Sequence, residues 1–138
     1  MTTPSVSART AASAGLGRAL LGGLAAGVVA AVVNAVLFAF GAIDQSVITP
    51  MGQSIGLGAV VTLSLVPNII GGLVLWGVLR AGRSVRLYQI IAVVATVLSF
   101  YSPLTLPDAP LGMVLLLEVM HVVAGAAAVF ITPRVALP

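Results

Sequence analysis

Four long apolar runs, separated by short polar or proline-containing segments, dominate the chain. The runs cover residues 19–40, 55–79, 85–101 and 111–131. A helix of about 20 apolar residues crosses the roughly 30 Å hydrocarbon core of a bilayer, so the runs have about the length of membrane spans. The linkers are short, and short linkers place consecutive helices antiparallel. The pattern predicts an all-α integral membrane protein whose single domain, residues 1–138, is a four-helix up-down bundle.

Prolines mark where the predicted helices bend or end. The third run is the shortest, and its apolar part from Leu87 spans only about 22 Å. We therefore expect the helix to include Arg86, whose long side chain would extend to the membrane surface. Ser102-Pro103 is expected to end this helix, because proline lacks the N–H that an interior turn requires. Pro67 lies deep in the second run and should kink it, either as a tolerated structural feature or as a broken helix of the kind that transporters use.

All six basic residues are arginines, and the four-span topology places them on one side of the bundle. They are Arg9, Arg18, Arg80, Arg83, Arg86 and Arg134. Asp44 and Asp108 fall in the two loops of the opposite side. By the positive-inside rule, both termini then face the cytoplasm, and we expect a multi-pass protein of the bacterial inner membrane. Three or five spans would scatter the arginines over both sides, so the charge distribution also supports four.

The N-terminal region allows a second interpretation, in which residues 1–42 are a cleaved signal peptide. The hydrophobic part of a signal peptide has about 7–15 residues, whereas the first apolar run, residues 19–40, is considerably longer. We therefore expect a first membrane span, preceded by a mobile cytoplasmic tail over residues 1–18.

The composition excludes several classes of protein. Apolar residues make up 60% and charged residues 7% of the chain, against roughly 45–50% and 25% in soluble domains. Six arginines and three acids are too sparse for a nucleic-acid surface, and the absence of cysteine excludes disulfides. Arg80, Arg83 and Arg86 either mark the topology alone or hold an anionic lipid headgroup.

Each predicted helix carries one stripe of small or polar residues, the kind of surface through which membrane helices associate. The stripes are Gly23, Gly27, Ala30 and Asn34; Ser64, Asn68, Gly71 and Gly72; Gln89, Ala92, Thr96 and Ser99; and Glu118, His121, Gly125 and Ala128. We expect Gly23, Gly27 and Gly125 to be points of close helix packing. Either all four stripes face inward, or one of them faces outward and binds a second copy or another membrane protein.

Aromatic residues near the ends of the runs are typical of interfacial belts. Trp76, Tyr88 and Phe130 fall near the predicted cytoplasmic ends, and Phe40 and Tyr101 fall near the opposite ends. We therefore expect all five side chains to lie at the membrane surfaces.

Glu118 and His121 are ionisable residues that the topology does not explain. A charge near the bilayer centre costs about 2.5 kcal/mol or more, so such residues normally face the bundle interior and mark a function. Counted along the helix from Leu111, Glu118 lies about 10 Å deep and His121 about 15 Å deep. Asn34 lies about 9 Å from the same surface, counted from Phe40. Asn34 and Glu118 are therefore expected to meet at one level.

Three interpretations of this intramembrane polar site stay open. In the first, the glutamate carries a proton or cation and the histidine one turn away relays the proton. In the second, the polar side chains form a pocket for a small lipophile such as a lipid or quinone. In the third, they make hydrogen bonds between helices that fix the register of the bundle. The candidate residues are Glu118, His121, Asn34, Thr96, Asn68 and Ser64.

The chain has too few metal-ligating and catalytic side chains to build a metal site or an enzyme active site. Glu118-x-x-His121 has the spacing of half a di-iron site, which needs a second such pair and two further glutamates, and zinc also lacks ligands. We therefore expect no metal, no cofactor and no enzymatic activity. The sequence predicts an accessory partner of another membrane protein or a binder of a small lipophile, and the alternative is a small proton-coupled carrier using Glu118 and His121.

Short segments in three of the helices carry a resemblance to a known family. They are Asn34–Phe38 in the first helix, Val66-Pro67 in the second and Met120–Gly125 in the fourth. With these segments, the chain from about Arg18 to Arg134 resembles a family of small bacterial four-helix membrane proteins of unknown function. The resemblance implies the four-span fold and no particular activity, substrate or site.

Overall fold

The computed structural model describes residues 15–41, 43–50 and 52–137. Its helices are α1 (Leu16–Phe40), α2 (Leu57–Arg80), α3 (Val85–Ser99), α4 (Tyr101–Leu104) and α5 (Leu111–Ala136). The short α4 extends α3 into one 20-residue apolar segment, so the described residues contain four helical segments long and apolar enough to cross a membrane. Within these ranges no strand forms, apart from an isolated antiparallel bridge between Ile48 and Ser54. The predicted all-α, four-span architecture is confirmed.

The helix boundaries differ from the predicted ones by one or two residues in α2 and by more in the other three spans. α1 begins at Leu16, so the last residues of the predicted tail are helical, and residues 1–14 of that tail, with Arg9, lie outside the described residues. The third span does not end at Ser102-Pro103 as predicted. It is interrupted at Phe100, because the proline ring crowds the carbonyl of Ser99, and it continues as α4 through Pro103 to Leu104. α5 continues through Pro133 beyond its predicted end at residue 131.

α1 packs closely between α2 and α5 because its facing surfaces are made of glycine and alanine. A Cβ at Gly23 would come within 2.5 Å of the backbone oxygen of Asn68, and one at Gly27 within 3.1 Å of the Leu65 backbone. A Cβ at Gly22 would collide with the backbone of Thr132 in α5. The GxxxG stripe therefore faces the interior of this bundle, where it lets α1 and α2 approach to backbone contact.

α3 is the peripheral helix of the bundle. Of its residues, all described, only Tyr88 is buried, and it packs with Leu75, Leu79 and Ala136 at one end of the bundle. α3 contacts α5 more extensively than it contacts α2. The bundle is therefore tight around α1 and loose between α2 and α3.

The two ends of the bundle differ in charge. The described arginines, all exposed, lie at the end where α1 begins and where α2 and α5 finish, here called the arginine end: Arg18, Arg80, Arg83, Arg86 and Arg134. The Arg80 guanidinium lies 5.2 Å from the centroid of the Trp76 ring. At the opposite end, the loop after α1 folds back so that Val47 is buried against Met113 and Met120.

Candidate functional site

A cavity of about 460 Å³ lies between α2, α3 and α5. It exists because α1 holds α2 and α5 together through glycine contacts, whereas Thr96 of α3 packs directly against Gly125 of α5. α3 is thereby held to α5, and a space is left on its α2 side. The polar residues that line the space are Asn68, Tyr88, Thr96, Ser99, Ser102 and His121.

The mouth of the cavity is apolar. Leu63 and Ile70 on α2 and Ile91 on α3 line it, and their side chains are 69%, 52% and 39% exposed. These positions are in the middle of the spans, where the surroundings of a membrane protein are lipid chains. The cavity therefore opens at the side of the bundle, between α2 and α3, through apolar side chains.

Asn34 ties three helices together beside this cavity. Its Nδ2 donates to the Ser64 hydroxyl oxygen (3.0 Å) on α2 and to the Met120 carbonyl oxygen (3.2 Å) on α5. The Ser64 hydroxyl in turn donates to the carbonyl of Val60 (2.8 Å). Asn34 and Ser64 are both 3% exposed, so two of the predicted site residues form a buried link between helices.

Asn68 follows Pro67 in α2 and lines the cavity. Its Nδ2 donates to the Ser64 carbonyl oxygen at 2.9 Å, next to the Leu63 carbonyl that Pro67 leaves without an N–H donor. α2 stays helical through the proline. Although Asn68 is only 2% exposed, its Oδ1 has no hydrogen-bond donor within the described residues. Asn68 thus belongs to the wall of the cavity, while its unpaired Oδ1 is itself shielded from solvent.

His121 and Thr96 line the same cavity from α5 and α3. The His121 Nδ1 lies 2.7 Å from the Leu117 carbonyl oxygen. Since a carbonyl only accepts, Nδ1 carries the proton, and in the neutral ring Nε2 keeps a lone pair. The Thr96 hydroxyl donates to the Ala92 carbonyl oxygen at 2.8 Å.

Glu118 has an environment that the sequence did not predict. Both carboxyl oxygens are buried, and neither has a hydrogen-bond partner among the described residues. Asn34 reaches α5 at the Met120 carbonyl, two residues from Glu118 and thus near the expected level, but no hydrogen bond joins the Asn34 and Glu118 side chains. Glu118 does not line the cavity, whereas His121, one turn away on α5, does.

Two residues at the start of α3, Tyr88 and Gln89, bond to backbone carbonyls of α5, and of these only Gln89 belonged to a predicted packing stripe. Tyr88 was expected at the membrane surface, which is wrong: its side chain is 1% exposed, and its hydroxyl donates to the Ala128 carbonyl oxygen at 3.1 Å. Gln89 Nε2 donates to the Val129 carbonyl oxygen at 3.3 Å. Pro133 could have indicated the Gln89 contact from the sequence. It lies four residues after Val129 and has no N–H, so the Val129 carbonyl needs a donor from elsewhere.

The remaining predicted residues divide between packing and surface. Gly125 is a point of close packing against α3, since a Cβ there would collide with the Thr96 side chain. Arg80, Arg83 and Arg86 are exposed in and around the turn between α2 and α3, away from the cavity. Among the residues that the structure describes, no group of three or more His, Cys, Asp or Glu side chains is placed to hold a metal ion.

The comparisons with known proteins identify a family. No curated protein and no solved structure matches the chain. The model of DUF6069, described as a family of unknown function, matches residues 11–137. Since this match covers nearly all of the 138 residues, the chain belongs to the DUF6069 family.

Proposed function

We propose that this protein is a non-enzymatic membrane protein that binds a small lipophile in the cavity between α2, α3 and α5. The cavity itself carries this proposal. Its volume of about 460 Å³ falls in the range of about 300–1,000 Å³ that is typical of small-molecule sites. Its walls are mostly apolar, with a few polar groups that would orient a ligand.

The route into the cavity supports a ligand that comes from the bilayer. The mouth is formed by exposed apolar side chains such as Leu63, Ile70 and Ile91. A molecule dissolved in the hydrocarbon would enter between α2 and α3 without crossing a polar surface. A strongly hydrated solute would have to give up its water first, at a cost of several kcal/mol for each unpaired polar group.

We place the protein in the bacterial cytoplasmic membrane with the arginine end facing the cytoplasm, which puts both termini there. The support is the distribution of charge: the described arginines lie at the arginine end, and Asp44 and Asp108 belong to the loops of the other end. In this orientation, Arg80, Arg83 and Arg86 face the anionic leaflet, where each adds about 1 kcal/mol of attraction to lipid headgroups. We also expect a partner in the membrane, either a second copy or another membrane protein.

A pair of substitutions on α3 tests lipophile binding. Ala95 lines the cavity, whereas Val93, two residues earlier and 50% exposed, does not. Ala95→Phe should fill the cavity and weaken binding of a short alkylphenol by about tenfold or more, and Val93→Phe should leave binding unchanged. Affinity can be measured by native mass spectrometry from mild detergent. If both variants bind as tightly as the wild type, the cavity is not the binding site.

A second candidate function is proton-coupled transport by Glu118 and His121. It is favoured by one observation: the Glu118 carboxyl is buried without a hydrogen-bond donor in the described structure, one turn from a histidine that lines the cavity. Buried ionisable groups inside a membrane bundle commonly belong to proton pathways. In proteoliposomes, Glu118→Gln should then abolish proton flux driven by a pH gradient. Wild-type protein without such flux would exclude the carrier and leave lipophile binding untouched.

A further inference from the structure

We propose that the cavity selects uncharged lipophiles whose polar head carries a hydrogen-bond donor, such as a phenol, a quinol or a long-chain alcohol. This inference rests on the proposed lipophile binding and specifies its ligand. Most donors of the lining residues are already bonded to protein carbonyls, whereas several acceptors are still available to a ligand.

Three hydroxyl groups that line the cavity already donate their hydrogen bonds to backbone carbonyls. Tyr88 donates to the Ala128 carbonyl, Thr96 to the Ala92 carbonyl and Ser99 to the Thr96 carbonyl, at 3.1, 2.8 and 2.6 Å. A hydroxyl has one proton but two acceptor lone pairs. Once these protons are committed to the backbone, Tyr88, Thr96 and Ser99 can offer a ligand only acceptors.

His121 contributes a further acceptor. The His121 Nδ1 proton is committed to the Leu117 carbonyl, so the neutral ring offers the lone pair of Nε2. Ser102, which is exposed, lies nearer than His121 to the end of the bundle opposite the arginine end. A ligand that donates a hydrogen bond would therefore find several acceptors inside the cavity.

The charge of the lining indicates that the ligand is neutral. All of the cavity-lining residues are described, and they include no aspartate, glutamate, lysine or arginine. An ammonium group would have to leave water without a carboxylate to compensate its charge. Apart from the exposed Ser102 hydroxyl, a carboxylate or phosphate beside a neutral His121 ring would meet acceptors rather than donors. A neutral hydroxyl satisfies both conditions, because it donates one hydrogen bond and carries no charge.

A matched pair of ligands tests the donor requirement. 4-Pentylphenol and 4-pentylanisole share the ring and the alkyl chain, but only the phenol donates a hydrogen bond. With concentrations referred to the detergent or lipid phase, we expect the phenol to bind the wild-type protein about five- to tenfold more tightly. Equal affinities would overturn the donor requirement while leaving lipophile binding in place. If neither compound binds, this inference and the proposed function both fail.

A double variant separates ligand recognition from folding. Thr96→Val combined with Ser99→Ala removes two acceptors with little change of shape, so the phenol should lose most of its advantage while the anisole binds as before. Thr62→Val, on an exposed face of α2 outside the cavity, is the control and should keep the wild-type ratio. Unchanged anisole binding shows that the variant still forms the cavity. A phenol preference that survives in the double variant would overturn the assignment of these acceptors.

Discussion

Gln89 donates from its Nε2 to the Val129 carbonyl oxygen, at 3.3 Å, and this is the carbonyl that Pro133 leaves without its helical donor. A side chain of α3 thus takes the place of a backbone N–H in α5. The replacement matters in a membrane, where no water is present to bond a free carbonyl. It explains how α5 continues through Pro133 to Ala136, and it fastens the peripheral helix α3 to the rest of the bundle.

Gln89→Leu should lower the free energy of unfolding in detergent by about 1 kcal/mol, within the measured range for hydrogen bonds between membrane helices. The effect should shrink when Pro133→Ala is added, because alanine restores the N–H that bonds Val129 within α5. Thermal unfolding of the two single variants and the double variant forms a complete cycle. Gln53→Leu, in an exposed loop, is the control. Strictly additive effects would show that Gln89 does not serve this carbonyl.

Gly125→Ala should destabilise the protein by about 1–3 kcal/mol, because the added methyl group collides with the Thr96 side chain where α3 meets α5. Thr96→Ala should recover part of that loss. Gly77→Ala is the matched control, since a Cβ at that helical position meets no atom within 4 Å. The control should be neutral or stabilising by about 0.5–1 kcal/mol, as expected for glycine replaced within a helix. A destabilised Gly77→Ala together with a tolerated Gly125→Ala would contradict the packing described above.

Asn34→Ala removes both bonds that link α1 to α2 and α5. Membrane double-mutant cycles average about 0.6 kcal/mol and reach about 1.7 kcal/mol per hydrogen bond, so we expect a loss of about 1–2 kcal/mol. Combining it with Ser64→Ala should give less than the sum of the two single losses, which denaturant unfolding in detergent can measure. Thr62→Ala serves as an exposed control on α2. Full additivity would mean that the Asn34–Ser64 bond contributes nothing.

The loop after α1 should show a local pH dependence. The Ser46 hydroxyl and backbone N–H both donate to Asp44, and these bonds hold the pKa of Asp44 below its ordinary value of 3.8. A depressed pKa means that the bonds favour the folded loop above about pH 4 and are lost as the pH falls through the folded-state pKa. Ser46→Ala should raise the pKa of Asp44 in a carboxyl carbon-13 NMR titration. Ser54→Ala, in the same loop, should not, and equal titration curves for Ser46→Ala and the wild type would refute the assignment.

The parts of the fold that depend on local sequence could be predicted. The apolar runs and the positions of Asp44 and the arginines were enough for the four spans and their antiparallel order. The glycine stripe through Gly23 and Gly27 also indicated a close helix contact, although its partner, the backbone of α2, emerged only from the structure. Such features follow from helix geometry and solvent, which act on each segment separately.

The site depends on how the helices sit relative to one another, and the sequence could not supply that. The cavity arises because Thr96 holds α3 against Gly125 of α5, whereas α2 packs against α1 and leaves a space beside α3. The sequence of a single helix does not determine this arrangement. For the same reason, depth along the helix placed Asn34 near the level of Glu118 but could not show that the Asn34 amide bonds to Ser64 and to the Met120 carbonyl. Tyr88 near a helix end was indistinguishable from a surface aromatic until its contact with Ala128 was seen.

Photolabelling in bilayers tests the central claim, that a lipophile occupies the cavity, most directly. A diazirine-bearing alkylphenol is crosslinked to the protein and its attachment sites are mapped by peptide mass spectrometry, with and without excess unlabelled 4-pentylphenol. We expect labelling of cavity residues such as Ile70, Ile91 and Ala124 to be displaced by the competitor, while labelling of outward-facing positions such as Val32 is not. Labelling that is spread over all lipid-facing positions and unaffected by the competitor would contradict the account.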